Sequence, residues 1–454
     1  MTTLPLPFSR PVPPSLRLGT FPLVIAAGAL LFLAGPSRGS VPDPADVPRL
    51  IASTEPGWPQ FRGPRRDGVS DERHLLQAWP DAGPRPLWTA PPVGRGFSSP
   101  VVVHDRVFIT GDVDHELHIF ALDLEGRLLW RSTNGLAWRT PYPGARSSVT
   151  YRAGRLYHQN AQGRLACLDA TTGREVWSLD VLRRFNGQNI TWGLSECLAV
   201  DERAVYVTAG GREALVAALD PATGDVLWQT PPLPSDRGDD AVESASYVSP
   251  ILVEFGGRRL LIGCSLRQLY GVDTADGRLL WTRPYPTTYS VLAMMPVLAG
   301  DGFFMTAPHG RGGHFHRLEP PATPHAPPGI ADVWTTRLDT CQGGVVHHDG
   351  TLYGTFYSGR RGWAALDART GAIRYELEGH VKGAALWADR RLYALCEDGW
   401  MLLLEPGSDR FEMRGRFRWA EAGARDAWAH PVIHQGRLYL RYHERLTAFD
   451  IRQP

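Results

Sequence analysis

Arg146, Lys382, Gln342 and Trp428, with Trp192, Glu196 and His430 beside them, are the residues whose types and placement could do chemistry together. Two cations converging on one pocket favour an anionic or carbonyl-bearing ligand, which an amide and aromatic faces would help to orient. The plainer alternative is that these are ordinary inner-strand side chains, satisfied by neighbours or by channel water. No catalytic residue is assigned: the chain has neither a glycine-rich phosphate loop nor a His-Glu-x-x-His pair.

Three smaller clusters are weighed in the same way. His314 and His316 alternate onto one strand face near His309, a metal-like spacing. No third and fourth ligand accompany them, and the Pro-rich run from Glu319 to Pro328 suggests an exposed hairpin. Asp112, Asp114 and Glu116 lack the Gly and the later Glu of a calcium loop. Asp236, Asp239, Asp240 and Glu243 read as a solvated connection.

What must position the first group is a repeat. Leu168-Asp169-Ala170-Thr171-Thr172-Gly173-Arg174-Glu175-Val176-Trp177 returns, with small changes, at Leu219–Trp228, Val272–Trp281 and Leu366–Tyr375, and more loosely at Leu122–Trp130. Such a period means a propeller or a solenoid. In each copy an apolar strand runs into Asp, whose side chain bonds amides two residues on. Gly then takes the positive φ of a tight turn, and the next strand ends on an aromatic expected to carry most of the unit's burial.

A second pattern, strand, two-residue turn, strand, precedes each sentence, as in Ser99–Gly111 and His430–Leu440. Together they make four short strands per unit, with no competing helical periodicity. The closing aromatics Trp88, Trp130, Trp177, Trp228, Trp281, Trp334, Tyr375 and Phe417 lie 41 to 53 residues apart. The predicted fold is all-β, an eight-bladed propeller over residues 85–454. The strand ending in Trp88 completes the last blade, so the ring has no free edge to close.

Aligning the units on their first inner-strand residue generates two columns. Three residues earlier stand Phe97, Arg146, Ser195, Tyr247, Ala293, Gln342, Lys382 and Trp428, a mixed ring at the channel mouth. One residue earlier stand Ser99, Ser148, Cys197, Ser249, Met295, Gly344, Ala384 and His430, mostly small, as a crowded axis requires. Trp192 and Glu196 fall near the same mouth.

Residues 1–39 have Arg10 and Arg17, an apolar run of 17 residues from Leu18 to Ala34, and small residues around Ser37 and Gly39. That is the pattern of a secretory signal peptide, with an uncleaved membrane anchor as the alternative. Residues 40–84 form a Pro/Gly-rich linker and strap. Trp58 and Phe61, in Trp58-Pro59-Gln60-Phe61-Arg62-Gly63-Pro64-Arg65-Arg66-Asp67-Gly68, are expected to dock on the outside of the ring. Lys plus Arg number 48 against 47 Asp plus Glu, which gives no footprint for nucleic acid. Membrane contact is expected only through the N-terminal segment. Cys167, Cys197, Cys264, Cys341 and Cys396 fall in five different units and read as small buried hydrophobes.

The Leu-Asp-x-x-Thr-Gly-x-x-x-Trp sentence resembles the tryptophan-docking repeat of the pyrroloquinoline quinone (PQQ) propellers over roughly residues 85–454. The Trp58–Gly68 stretch resembles the segment before the first blade in exported bacterial members. That resemblance implies two functions. One is a binding or scaffold module outside the cytoplasm, engaging a protein partner or a small anionic or carbonyl ligand. The other is a PQQ-dependent oxidoreductase using PQQ with Ca²⁺, or a degenerate, non-catalytic relative. Family dehydrogenases sandwich the quinone between a Trp and a disulfide of adjacent cysteines, and hold Ca²⁺ with acidic and amide side chains near an Asp base. This sequence has no adjacent Cys pair and no Cys-x-x-Cys-His haem site.

Overall fold

The Asp-x-x-x-Gly turn is where each blade grips its neighbour. Asp169 Oδ1 accepts the Thr171 and Thr172 amides at 3.1 and 2.8 Å, and Gly173 sits at φ 71°. The ring of Trp130, from the preceding blade, lies under that glycine so closely that a Cβ there would be 2.5 Å from it. The indoles of Trp88, Trp177 and Trp228 donate to the Leu124, Pro221 and Thr274 carbonyls of the next turn at 2.6, 3.1 and 3.0 Å. Those closing tryptophans are therefore hooks, whereas the Nε1 of Trp281 and of Trp334 is buried without a hydrogen-bond partner. Most are only partly buried, contrary to the expectation that they carry their units' burial; that role belongs to the Val, Leu and Ala of the inner strands.

These units build an eight-bladed β-propeller in which every blade has four antiparallel strands of its own. The computed structural model describes residues 46–323, 326–357 and 362–454. The leader assigned to residues 1–39 lies outside them. Blade 1 runs outward through Val101–Val103, Arg106–Val113, Glu116–Asp123 and Leu128–Leu136. Blade 7 runs through Gly383–Ala388, Arg391–Cys396, Trp400–Pro406 and Phe411–Arg418. Blade 8 takes three strands from Val432 to Asp450 and its outermost strand, Arg85–Thr89, from the other end of the ring, with Trp88 opposite Ala448. Among the described residues no helix is long and apolar enough to cross a membrane.

The part of the strap that carries Trp58 and Phe61 does not dock outside the ring; it crosses the axis. Arg49–Leu50 adds a short strand to the innermost strand of blade 4, opposite Glu254 and Val253. Trp58 bridges Val102 in blade 1, the Tyr151 amide of blade 2 bonds Pro59 O, and the Ser70 amide bonds Trp387 O in blade 7. Trp58 is 3% exposed. The physical reason is the small axial column: Ser, Gly and Ala leave the middle of an eight-bladed ring unfilled, and close packing requires that something fill it. A local reading of a Pro/Gly-rich stretch carries no sign of that void.

Candidate functional site

The small axial residues stitch the blades together. The His430 amide donates to Ser99 Oγ at 2.8 Å, the Ser99 amide to Ser148 Oγ at 2.9 Å, the Ser148 amide to Cys197 Sγ at 3.2 Å and the Cys197 amide to Ser249 Oγ at 2.8 Å. Each blade thus satisfies a buried N–H of the blade before it, from blade 8 round to blade 4. The run stops where the column changes to Met295, Gly344 and Ala384, which have no hydroxyl or thiol.

Above this ring opens a cavity of about 420 Å³. Five of the seven expected residues line it: Arg146, Trp192, Gln342, Trp428 and His430. So do Phe61 from the strap and Tyr142, Tyr289 and Tyr357 from connecting loops, which escaped the column alignment because they lie outside the repeated strands. Aromatic faces dominate the wall. Trp428 meets Phe97 at 4.9 Å and Tyr142 at 5.3 Å, Trp192 meets Tyr247 at 5.8 Å, and His309 meets Tyr289 and Tyr357 at 5.1 and 4.9 Å.

Of the two expected cations, only Arg146 lines the cavity. Arg146 is clamped by carbonyls: Nε donates to Trp192 O at 2.5 Å, Nη1 to Tyr142 O and Gly144 O at 2.9 Å each, and Nη2 to Pro141 O at 3.0 Å. Lys382 borders a separate small cleft, paired with Glu397 at 2.7 Å and lying 4.4 Å from the centre of the Tyr357 ring. Glu196 stands behind the wall, accepting the Thr208 amide at 3.0 Å. Its burial pushes the carboxyl up to about 7. Trp428 donates its indole to Glu397 at 3.2 Å.

Two further guanidiniums lie beneath the lining, outside the cavity itself. Arg62 donates Nη2 to Val345 O at 2.6 Å and Asp67 O at 2.8 Å, with Nη1 3.4 Å from His430 Nδ1. Arg66 donates Nη2 to Cys197 O at 2.6 Å and Nη1 to Leu198 O and Gln60 Oε1 at 3.1 Å. Burial lowers each guanidinium to about 10, which leaves both charged at neutral pH. Neither makes an ion pair among the described residues, and the Nε of each is buried without a hydrogen-bond partner. His430 is neutral, pushed down to about 3 by burial first and the Arg62 charge second. Its Nε2 lies 2.9 Å from Gln342 O, so Nε2 carries the proton and Nδ1 accepts from Arg62.

The smaller clusters are also resolved. His316 is buried against Asp332 at 2.8 Å rather than exposed in a hairpin, and His314 is engaged by Arg311 at 2.7 Å. Glu243 is buried, not solvated, and accepts Ser265 Oγ and the Arg267 amide at 2.7 and 3.0 Å. Asp112 accepts the Trp138 amide at 2.9 Å, and burial raises its carboxyl to about 6. All five cysteines are buried free thiols.

A family model described as outer membrane protein assembly factor BamB matches residues 116–312. The chain is 28% identical over 265 residues to the quinohemoprotein alcohol dehydrogenase ADH-IIG of Pseudomonas putida, covering 53% of this chain and 36% of that one. It is 25% identical over 273 residues to outer membrane protein assembly factor BamB of Yersinia pestis, covering 55% and 63%. The chain is similar to the PQQ-like repeat β-propellers. It spans less than two thirds of the length of either relative. Two solved structures share the fold at low identity. BamB of Moraxella catarrhalis has TM-score 0.54 at 13% identity, over 81% of this chain and 98% of that one. Quinohemoprotein alcohol dehydrogenase of Comamonas testosteroni has TM-score 0.59 at 14%, over 88% and 81%.

In this propeller the aromatic walls match a flat ring, but the rest of a calcium-loaded quinone site is not matched. Cys197 and Cys341 on the cavity wall are separate thiols from different blades. Among the described residues no three His, Cys, Asp or Glu side chains converge as metal ligands. The residues present do not fit PQQ with Ca²⁺.

Proposed function

We propose that this propeller is a binding module that works outside the cytoplasm. Residues 1–39 serve as its export leader and residues 40–84 as its strap. Its axial cavity takes a flat ligand bearing carbonyl or carboxylate groups, either a small molecule or a group presented by a protein partner. The observation that carries this is the pair of buried guanidiniums, Arg62 and Arg66, beneath an aromatic cavity. Two charges without carboxylate partners in a low-dielectric channel favour an anion or a carbonyl dipole above them and repel a cation. Trp192, Trp428 and the rim tyrosines supply stacking faces, and the Gln342 amide supplies a donor. The likeness to the BamB proteins, named as assembly factors, supports a protein partner and an extracytoplasmic setting.

The test is a set of titrations followed by tryptophan fluorescence and melting temperature, using PQQ with and without Ca²⁺, a neutral naphthoquinone and a flat acridinium cation. The expected order is PQQ first, naphthoquinone second, acridinium last, with Ca²⁺ making no difference. Equal or stronger binding of the cation, or no binding of any probe at millimolar concentration, would overturn the reading. PQQ binding that appears only with Ca²⁺ would replace it with the dehydrogenase.

A further inference from the structure

The outer edge of blade 7 carries a second recognition surface, independent of the axial cavity. Its outermost strand, Phe411–Arg418, is bulged at Arg414; beyond the bulge Arg416 and Arg418, opposite Leu402 and Trp400, share one face by the two-residue period of a strand. Arg414 is held by Glu405 and, at 2.8 Å, by Glu412. Arg416 has no hydrogen bond or ion pair among the described residues, and Arg418 has one, from Nη1 to Asp398 O at 3.0 Å. Both are exposed, and their guanidiniums lie 5.2 and 4.9 Å from the centre of the Trp400 ring. The indole thus holds two cations side by side with their charge turned to solvent.

The same edge already accepts extended chain. The Trp79 amide of the strap donates to Arg414 O at 2.9 Å, and Trp79 packs on Gly415 and on Phe417, 5.3 Å away. By the same period the backbone N–H and C=O of Arg416 point outward, and no backbone bond from the described residues covers them. Between strap and strand lies a groove of about 640 Å³ floored by Met413 and Trp400, with Asp81 as the one carboxylate in its lining.

We propose that this groove binds an acidic, extended segment of a partner protein. The segment adds as a strand beside Arg416, while its alternate carboxylates pair with Arg416 and Arg418 over Trp400. The match rests on charge: two guanidiniums about 5 Å from one indole, neither in an ion pair among the described residues, on an edge with open backbone groups.

The experiment measures binding of a labelled ten-residue peptide of alternating Glu and Thr to the full chain by fluorescence anisotropy. Three comparison peptides are used: Lys in place of Glu, N-methylation at alternate amides, and the unmodified peptide in 0.5 M NaCl. Saturable binding is expected for the Glu peptide. It should weaken at least tenfold in R416E/R418E and in high salt, several-fold in R416Q/R418Q, and vanish for the Lys and N-methylated peptides. Both arginines are exposed, so an unchanged melting temperature is the folding control. Equal binding of the Glu and Lys peptides, or an unchanged affinity in R416E/R418E, would overturn the proposal. So would self-association of R416E/R418E with peptide binding unaltered, since the arginines would then be guards against edge pairing.

Discussion

Replacing Ser148 by Ala should cost this propeller about 2 kcal/mol, although the change removes a single oxygen. Ser148 Oγ accepts the Ser99 amide at 2.9 Å and donates to Ser99 O at 2.8 Å, and both residues are 2% exposed. Alanine leaves a buried N–H with no acceptor, which costs roughly 1–3 kcal/mol, whereas loss of a hydrogen bond whose partners regain water costs about 1 kcal/mol or less. The midpoint of urea denaturation reads the change, with an expected fall in melting temperature of about 2–4 °C per kcal/mol or somewhat less for a chain of this size. Two controls frame it. Ser148→Cys should lose less than half as much, because Cys197 performs the same duty one blade on, accepting the Ser148 amide at 3.2 Å. Ser178→Ala, whose hydroxyl meets Glu175 at the surface, should stay within about 0.5 kcal/mol of the parent. If Ser148→Ala and Ser178→Ala are indistinguishable, the hydrogen-bonded ring around the axis is not a source of stability.

Three further outcomes follow from the same structure. Glu196, raised to about 7 in the fold from an ordinary value of 4.5, binds a proton in the native state that the unfolded chain releases. Its contribution is full below pH 4.5 and is lost as the pH climbs to about 7. Glu196→Gln should flatten stability against pH across that window, read by urea midpoints at pH 5 and pH 8; an unchanged slope would refute the assignment. Tyr289 holds φ 59° with its side chain 72% exposed, so Tyr289→Gly should raise the melting temperature through about 1 kcal/mol of relieved backbone strain, and should weaken PQQ binding at the cavity rim. Gly224→Ala should destabilise by more than about 1 kcal/mol in calorimetry, because the position has φ 79° and a Cβ would lie 2.6 Å from the Trp177 ring.

The repeat was legible because its physics is local. Asp169 caps its own turn and Gly173 supplies its own φ, within a few residues of each other, so a periodic sequence could announce eight blades and the strand from Arg85 that closes the last. The columns placed Arg146, Gln342, Trp428 and His430 at one mouth, since equivalent positions in a closed ring face one axis, and Trp192 was read beside them. What those side chains do there was decided by contacts among residues far apart in the chain. Trp192 O, 46 residues away, accepts a hydrogen bond from Arg146 Nε, and Glu397 pairs with Lys382. Beneath the cavity lie two more guanidiniums, Arg62 and Arg66, which reach carbonyls 283 and 131 residues distant. Nothing in a Pro/Gly-rich stretch states that it fills an axis. That follows from the width of eight blades whose innermost residues are too small to close it, a property of the assembled ring.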